Sequence, residues 1–388
     1  MQTLEASYRI TTPMFLGGAD PRQNCELRLP SFKGALRFWW RSLMWRKVKD
    51  CGELREREAA LFGSAEPNSG QSKVRLQLVS QELESVVHAR DVFEGGRLFG
   101  AHYLGYGVME AFASKKKGTK AGELTRSMIP GGSFTVACTF HPSLEKHEKD
   151  QLIAALILLG TVGGLGSKSR KGYGSLTLTQ LSPNQQSVSL DPTGRLKEVF
   201  KTLPPDQPDW TAFSQASRVI TVSSNAKKPV ELLDLMGREQ VFYRSWGNGG
   251  TVLGQQSEKN FEEDHDLHKS PAEGKYPRRM VFGLPHSYGK YPSDEVSPSS
   301  DNLGRRASPV FLHIHQVSSS SAPNGLVVFL PSRFLPEGER IRAFGKEAVL
   351  DETPQFWQPI HGYLDRLIGK VGATQKKTQL QAQEVPLV

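Results

Sequence analysis

Gly163-Gly164-Leu165-Gly166-Ser167-Lys168-Ser169-Arg170-Lys171-Gly172-Tyr173-Gly174 carries five glycines, three cations and one aromatic in a single stretch. The apolar run Leu152 to Leu159 precedes it, and the alternating Ser175-Leu176-Thr177-Leu178-Thr179 follows. That order predicts a helix, a flexible basic loop and a strand. Glycines let a backbone press close to a ligand, and their bare N–H groups can face phosphate oxygens. Lys168, Arg170 and Lys171 add charge where the backbone adds shape. An extended polyphosphate such as RNA suits this chemistry, although the same residues also make a turn whose lysines merely face water. A Walker A loop is excluded, because Ser167 separates Gly166 from Lys168. A dinucleotide fingerprint fails as well: Ser169 stands where its third glycine is needed.

Working outward, residues 5–12 alternate as a strand, and Pro30-Ser31 opens a helix expected to reach about Val48. Val74–Val79 and Phe134–Phe140 are period-two strands, 144–160 a buried helix, and Leu176–Leu181 closes the set. The order β-α-β-β-α-β is that of the ferredoxin-like fold, shared with RNA-recognition modules. An insertion at about 81–132, with its Lys115-Lys116-Lys117 run, is expected to be a surface excursion ordered on assembly. The Pro-, Gln-, Ser- and Asp-rich stretch 182–215 is expected to be a linker. A second unit, 216–371, offers strands at 218–222, 280–284, 309–317 and 326–330, with helices at 230–245 and 354–369. Residues 372–388 look like a polar tail. The fold class expected is α+β: two tandem ferredoxin-like domains, 1–181 and 216–371, with long insertions.

The 388 residues suffice for two such domains. A net charge of +9 points to an acidic partner. No apolar run is long enough to span a bilayer and no signal-peptide core is present, so no membrane partner is expected. Cys25, Cys51 and Cys138 are scattered without a Cys-x-x-Cys pair, which points to a reducing cytoplasm and away from a cysteine metal site.

In the first helix Lys33, Arg37 and Arg41 recur every four residues and Trp45 extends the stripe, while Leu36, Trp39, Trp40 and Leu43 face the core. Lys33 sits in the first turn, where the helix dipole disfavours a cation, so an anion is expected to dock there. Arg244-Ser245-Trp246-Gly247 pairs a cation with an indole, suited to stacking on a base. Arg278-Arg279 and Arg305-Arg306 could meet phosphates. His265 and His268 lie among carboxylates without a fixed metal-binding spacing. His313 and His315 share one strand face and are expected to be structural. No nucleophile motif occurs, so no catalytic residue, metal or small-molecule cofactor is expected.

Thr12-Pro13-Met14-Phe15-Leu16-Gly17-Gly18-Ala19-Asp20 and Leu29-Pro30-Ser31-Phe32-Lys33-Gly34-Ala35-Leu36-Arg37-Phe38-Trp39-Trp40-Arg41 resemble the N-terminal signature of a RAMP-superfamily family, subunit one of the Cmr module. The 163–174 loop is similar to the superfamily's glycine-rich signature. Glu58–Gly63, Asp264–Leu267 and Arg305–Pro309 also look like family blocks. The resemblance implies a cytoplasmic antiviral ribonucleoprotein of the type III-B CRISPR class. It implies a non-catalytic subunit near the guide 3′ end, with guide RNA (crRNA), target RNA and other RAMP subunits as partners. The RNA-contact candidates are then Lys33, Arg37, Arg41, Trp45, Gly163, Gly164, Gly166, Lys168, Arg170, Lys171, Tyr173, Arg244, Trp246, Arg278, Arg279, Arg305 and Arg306. Two alternatives stay open: a metal-independent endoribonuclease using His102, His265 or His315, and a purely structural capping protein.

Overall fold

The computed structural model describes residues 2–66, 70–87, 98–110, 118, 123–182, 191–246, 249–289, 291–300, 302–370 and 379–388. The first unit runs β1 (Gln2–Ile10), α1 (Leu29–Ser42), α2 (Cys51–Phe62), β2 (Val74–Leu83), α3 (Phe99–Leu104), β3 (Gly132–Phe140), α4 (Lys146–Leu159) and β4 (Leu176–Ser182). Its antiparallel sheet has the order β2-β3-β1-β4. Alternation in β1 turns Leu4, Ala6, Tyr8 and Ile10 inward. There they meet Phe32, Leu36 and Trp40 of α1 and Leu152, Ala155 and Leu156 of α4 in one core. Tyr8, fully buried, donates its hydroxyl to the Leu156 carbonyl at 3.0 Å. The helix expected to reach Val48 stops at Ser42, because the chain turns to bury Met44, Trp45 and Val48 beside it. Asp50 then caps α2 by accepting from Glu53 N at 2.9 Å.

After α5 (Pro192–Val199), the second unit runs β5 (Arg218–Ser223), α6 (Pro229–Arg244), the hairpin β6 (Thr251–Val252) and β7 (Gln255–Gln256), and α7 (Glu262–Lys269). It continues through β8 (His286–Ser287), β9 (Glu295–Pro298), β10 (Val310–His315), β11 (Asn324–Phe329), β12 (Arg340–Ala343), β13 (Lys346–Val349), α8 (Gln358–Leu367) and β14 (Gln381–Val385). Its main sheet has the order β10-β11-β5-β14, the same second-third-first-fourth arrangement as the first unit. The inserted strands make a separate sheet, β13-β12-β9-β8. Two ferredoxin-like units therefore follow one another in this α+β chain.

Four segments depart from expectation. Residues 381–385, expected in a polar tail, are the edge strand β14, paired with β5. An edge strand needs few apolar residues; Leu380 and Leu387 are buried, and Glu384 bonds Arg218 at 2.5 Å. The expected linker contains α5, capped by Asp191, and buries Leu196, Phe200, Leu203 and Phe213 on the first core. Met280–Leu284, expected to be a strand, is largely a 3₁₀ turn (Arg278–Phe282), because Asp264 accepts the N–H groups of Arg278 and Arg279 at 2.7 and 2.8 Å. Within the expected surface excursion, α3 is buried against α6 of the second unit. Gly100 and Gly237 make that approach possible, since a Cβ on either would strike the other helix's backbone. Lys115–Lys117 lie outside the described residues.

The two units share a buried seam. The face of the second sheet away from α6 lies on the first unit: Phe311 packs 5.9 Å from Phe38 and 5.6 Å from Trp39 between ring centroids. His313 Nδ1 lies 2.9 Å from the Gly163 carbonyl, and His315 Nδ1 lies 3.3 Å from Thr177 Oγ1. Leu312 N donates to Arg170 O at 3.0 Å. The 163–174 loop is thus the joint between the units.

Candidate nucleic-acid interface

Helix α1 and the joint loop reach the surface in different ways. Lys33 Nζ donates to the Phe62 carbonyl at 2.7 Å, at the C-terminus of α2. The cation in the first turn of α1 is therefore explained by the neighbouring helix's negative end, and no docked anion is needed. Arg37 Nε and Arg41 Nη1 both bond Glu58 Oε1 at 2.6 Å, yet their side chains stay 39% and 34% exposed. One carboxylate faces two guanidiniums, so the cluster keeps net positive charge. Trp45 does not extend the stripe; it is buried edge-on to Trp210 with ring centroids 5.0 Å apart. Lys33 and Arg37 line an open groove of about 1000 Å³ together with Arg55 of α2, and Glu56 and Glu66 also border it.

In the joint loop the glycines accommodate protein rather than ligand. A Cβ on Gly163 would strike Trp39 Nε1, Gly164 bridges to Ser175, and Gly166 lies against the Phe15 carbonyl. The N–H groups of Leu165, Ser167, Lys171, Gly172, Tyr173 and Gly174 all donate to backbone carbonyls. A backbone cradle for phosphate is therefore largely used up, and the side chains carry whatever anion chemistry remains. Tyr173 is fully buried, donating to Ala101 O at 2.6 Å, and offers no face to a base. Arg170 lies over Phe38 and Phe311, 5.1 and 4.6 Å from their centroids, and donates to Ser308 O at 2.9 Å. Burial and Arg306 push its pKa down to about 10.

Lys168 and Lys171 share with Arg170 the feature that the charged groups shifting their pKa are other cations. Burial, Arg305 and Arg126 lower Lys168. Burial, Arg244, Lys168 and Arg170 push Lys171 down to about 7. Arg126 Nη1 donates to Ser167 Oγ at 3.3 Å, adding a cation from the inserted segment. The sign of the resulting pH dependence follows by linkage. The unfolded chain keeps the Lys171 proton up to its ordinary 10.5, so stability rises with pH between about 7 and 10.5 and the cost of the buried charge is complete below 7. A phosphate beside the amine would retain the proton. RNA affinity is therefore expected to be flat below about pH 7 and to fall as pH rises above it; Lys171→Met should remove the fall in binding isotherms taken across that range.

The remaining arginines divide. Arg279 is buried, donating to Arg244 O at 2.7 Å with its guanidinium 4.5 Å from the Tyr288 centroid, and is structural. Arg244 bonds Tyr103 Oη at 3.1 Å and lies 4.8 Å from the Phe282 centroid. Arg306 donates to Ser332 Oγ at 2.7 Å. Arg278 and Arg305 are exposed, and Trp246 is half-buried with its ring 4.6 Å from that of His265. A second groove, about 680 Å³, joins Arg55 to Arg305, Arg306 and Trp210, with Asp209 and Glu337 at its border. Arg305 then couples to Lys168, and Lys171 to Arg244. A track of cations consequently passes from Lys33 and Arg37 through Arg55 and Arg305 to Lys168, Lys171 and Arg244. Sequence reasoning missed Arg55 and Arg126, the first on an unforeseen helix and the second inside the insertion.

Neither sheet provides the aromatic platform of an RNA-recognition module. The outward residues of β1 and β3 are Thr3, Glu5, Ser7, Arg9, Ser133, Thr135, Ala137 and Thr139, tied by Thr3–Thr139 and Ser7–Thr135 hydroxyl bonds of 3.0 and 2.9 Å. The equivalent face of the second sheet is the buried seam. Of the histidines, His102 and His315 are buried, burial and cations push His265 down to about 4, and burial with His315 pushes His313 down to about 3. His268 Nε2 lies 3.0 Å from Asp294 Oδ1. Among the described residues no group of three or more His, Cys, Asp or Glu could hold a metal ion, and no helix is long and apolar enough to cross a membrane.

Residues 7–177 match the family model of the RAMP superfamily. A curated relative, the CRISPR system Cmr subunit Cmr1-1 of Pyrococcus furiosus, is 30% identical over 164 residues, 42% of this chain and 43% of the relative. The match thus spans less than half of that relative's length. The crystal structure of Cmr1 from Pyrococcus furiosus in its apo form shares the fold across 99% of both chains, with a TM-score of 0.53 at 20% identity.

Proposed function

We propose that this chain is a non-catalytic RNA-binding subunit of a type III-B CRISPR (Cmr) effector ribonucleoprotein, contacting guide or target RNA near the guide 3′ end and partnering other RAMP subunits in antiviral defence. The observation that carries the reading is the cation track, drawn from both units and from the insertion, with burial and neighbouring cations lowering the pKa of its two central lysines. A polyphosphate relieves such like-charge repulsion along its whole length, which a compact anion cannot do. The RAMP match of residues 7–177 and the Cmr1-1 relative agree with it. The track grips phosphates and carries no base-reading pattern, so specificity belongs to guide–target pairing. Burial of His102 and His315 supports leaving hydrolysis to another chain.

The test is binding of purified protein to labelled single-stranded RNA across a salt titration in EDTA, with the RNA then run on a gel. The expected result is intact RNA and a steep loss of affinity with salt, a log–log slope of about −3 for four to five phosphate contacts. Discrete cleavage would replace this reading with the endoribonuclease. Absence of binding, both alone and in the assembled complex, would favour the capping protein.

A further inference from the structure

Tyr106 stands out from the other aromatics near the track because its side chain faces solvent, 65% exposed. Its turn lies beside the joint loop: a Cβ placed on Gly107 would stand 3.8 Å from Lys168 Nζ. Arg126, held on Ser167 Oγ, and Arg305 are the cations that depress Lys168. The mount is rigid. Gly100 and Ala101 at the start of α3 donate to Asp234 Oδ1 at 2.6 and 3.2 Å, and Tyr173 bonds the Ala101 carbonyl. Tyr103 accepts from Arg244, Thr125 N donates to Val108 O at 3.0 Å, and Val108 and Met109 are buried. An exposed ring on an anchored turn, next to Lys168, Arg126 and Arg305, has the chemistry of a base-stacking post.

We propose that Tyr106 stacks on an unpaired base of the RNA whose phosphates Lys168, Arg126 and Arg305 hold, so that this end of the track takes single-stranded rather than duplex RNA. The assignment rests on the RNA-binding reading and narrows it. Stacking needs a base released from its helix, and a lone ring has no means of reading which base it is, so the preference is for strandedness and not for sequence.

The experiment compares wild type, Tyr106→Ala, Tyr106→Phe and Lys168→Glu on an unstructured single-stranded RNA carrying a fluorescent adenine analogue, and on its duplex. Tyr106→Ala is expected to weaken single-strand binding about tenfold and abolish quenching of the analogue, with duplex binding unchanged and Tyr106→Phe close to wild type. Full single-strand affinity and quenching in Tyr106→Ala, with Lys168→Glu weakened, would overturn the stacking assignment and leave the RNA-binding reading standing. Unchanged affinity in both variants would overturn both. If Tyr106→Ala keeps its RNA affinity but fails to assemble with its protein partners, the ring is a protein contact and the assignment is wrong.

Discussion

Lys168→Glu combined with Arg305→Glu is expected to weaken single-stranded RNA binding about 100-fold near physiological salt and to reduce the slope of log affinity against log salt by about 1.5 to 3. The two residues come from different units and are coupled through space. Each reversal removes one phosphate contact and adds a repulsion, and counterion release makes each contact worth several-fold in affinity. Stability should change little, because Arg305 is exposed and the Lys168 amine gains nothing from its cationic neighbours. Filter binding at several salt concentrations, with thermal unfolding as the control, separates the outcomes. Affinity and slope equal to wild type in a folded double variant would leave the central part of the track without a role.

The largest stability effect is expected at Arg366. Its guanidinium bonds Glu239 at 2.5 Å and Glu258 at 2.6 Å, and all three side chains are buried. Removing the cation leaves two carboxylates out of water, which costs about 3–5 kcal/mol. Arg366→Met should therefore lower the unfolding temperature by about 10 °C for a unit of this size. Adding Glu239→Gln and Glu258→Gln should recover much of the loss, since neutral amides tolerate the site. In the single variant the orphaned carboxylates acquire folded pKa values above their unfolded ones, so its deficit should shrink as pH falls towards the carboxylate range. A deficit below about 1 kcal/mol would mean that water reaches the triad after the arginine is gone.

Legibility varied along the chain for physical reasons. The strands of the first unit alternate because one face is buried and the other wet, so β1, β2, β3 and β4 could be read within a few residues. Helix α2 was passed over because its polar and apolar residues barely segregate, and it is held by Asp50 and by Glu58 rather than by a broad apolar stripe. Strand β14 is polar and sits at an edge, so no pattern in Gln381–Val385 separates it from a tail. The glycines at 163–174 did signal close approach. What approaches is the protein's own backbone and Trp39, a distinction local sequence cannot make.

The candidate site was legible as residue types and not as a surface. Lys168, Arg305 and Lys33 were visible as cations, but their alignment depends on α2 and on the seam between the units. Trp45, Tyr173 and Arg279 carried the right chemistry and are consumed by packing. Tyr106 and Arg126 lay in an insertion whose docking on α6 depends on Gly100 and Gly237 meeting across 137 residues of chain, a pairing with no local signature.

Photo-crosslinking of single-stranded RNA to the assembled protein, with the modified peptides sequenced, tests the central claim most directly. Crosslinks on the peptides carrying Lys168 and Lys171, Arg305 and Arg306, and Lys33 to Arg37 are the predicted result. Crosslinks confined to the open face of the first sheet, at residues such as Ser7 and Thr135, would contradict the account and return RNA to the surface used by recognition modules.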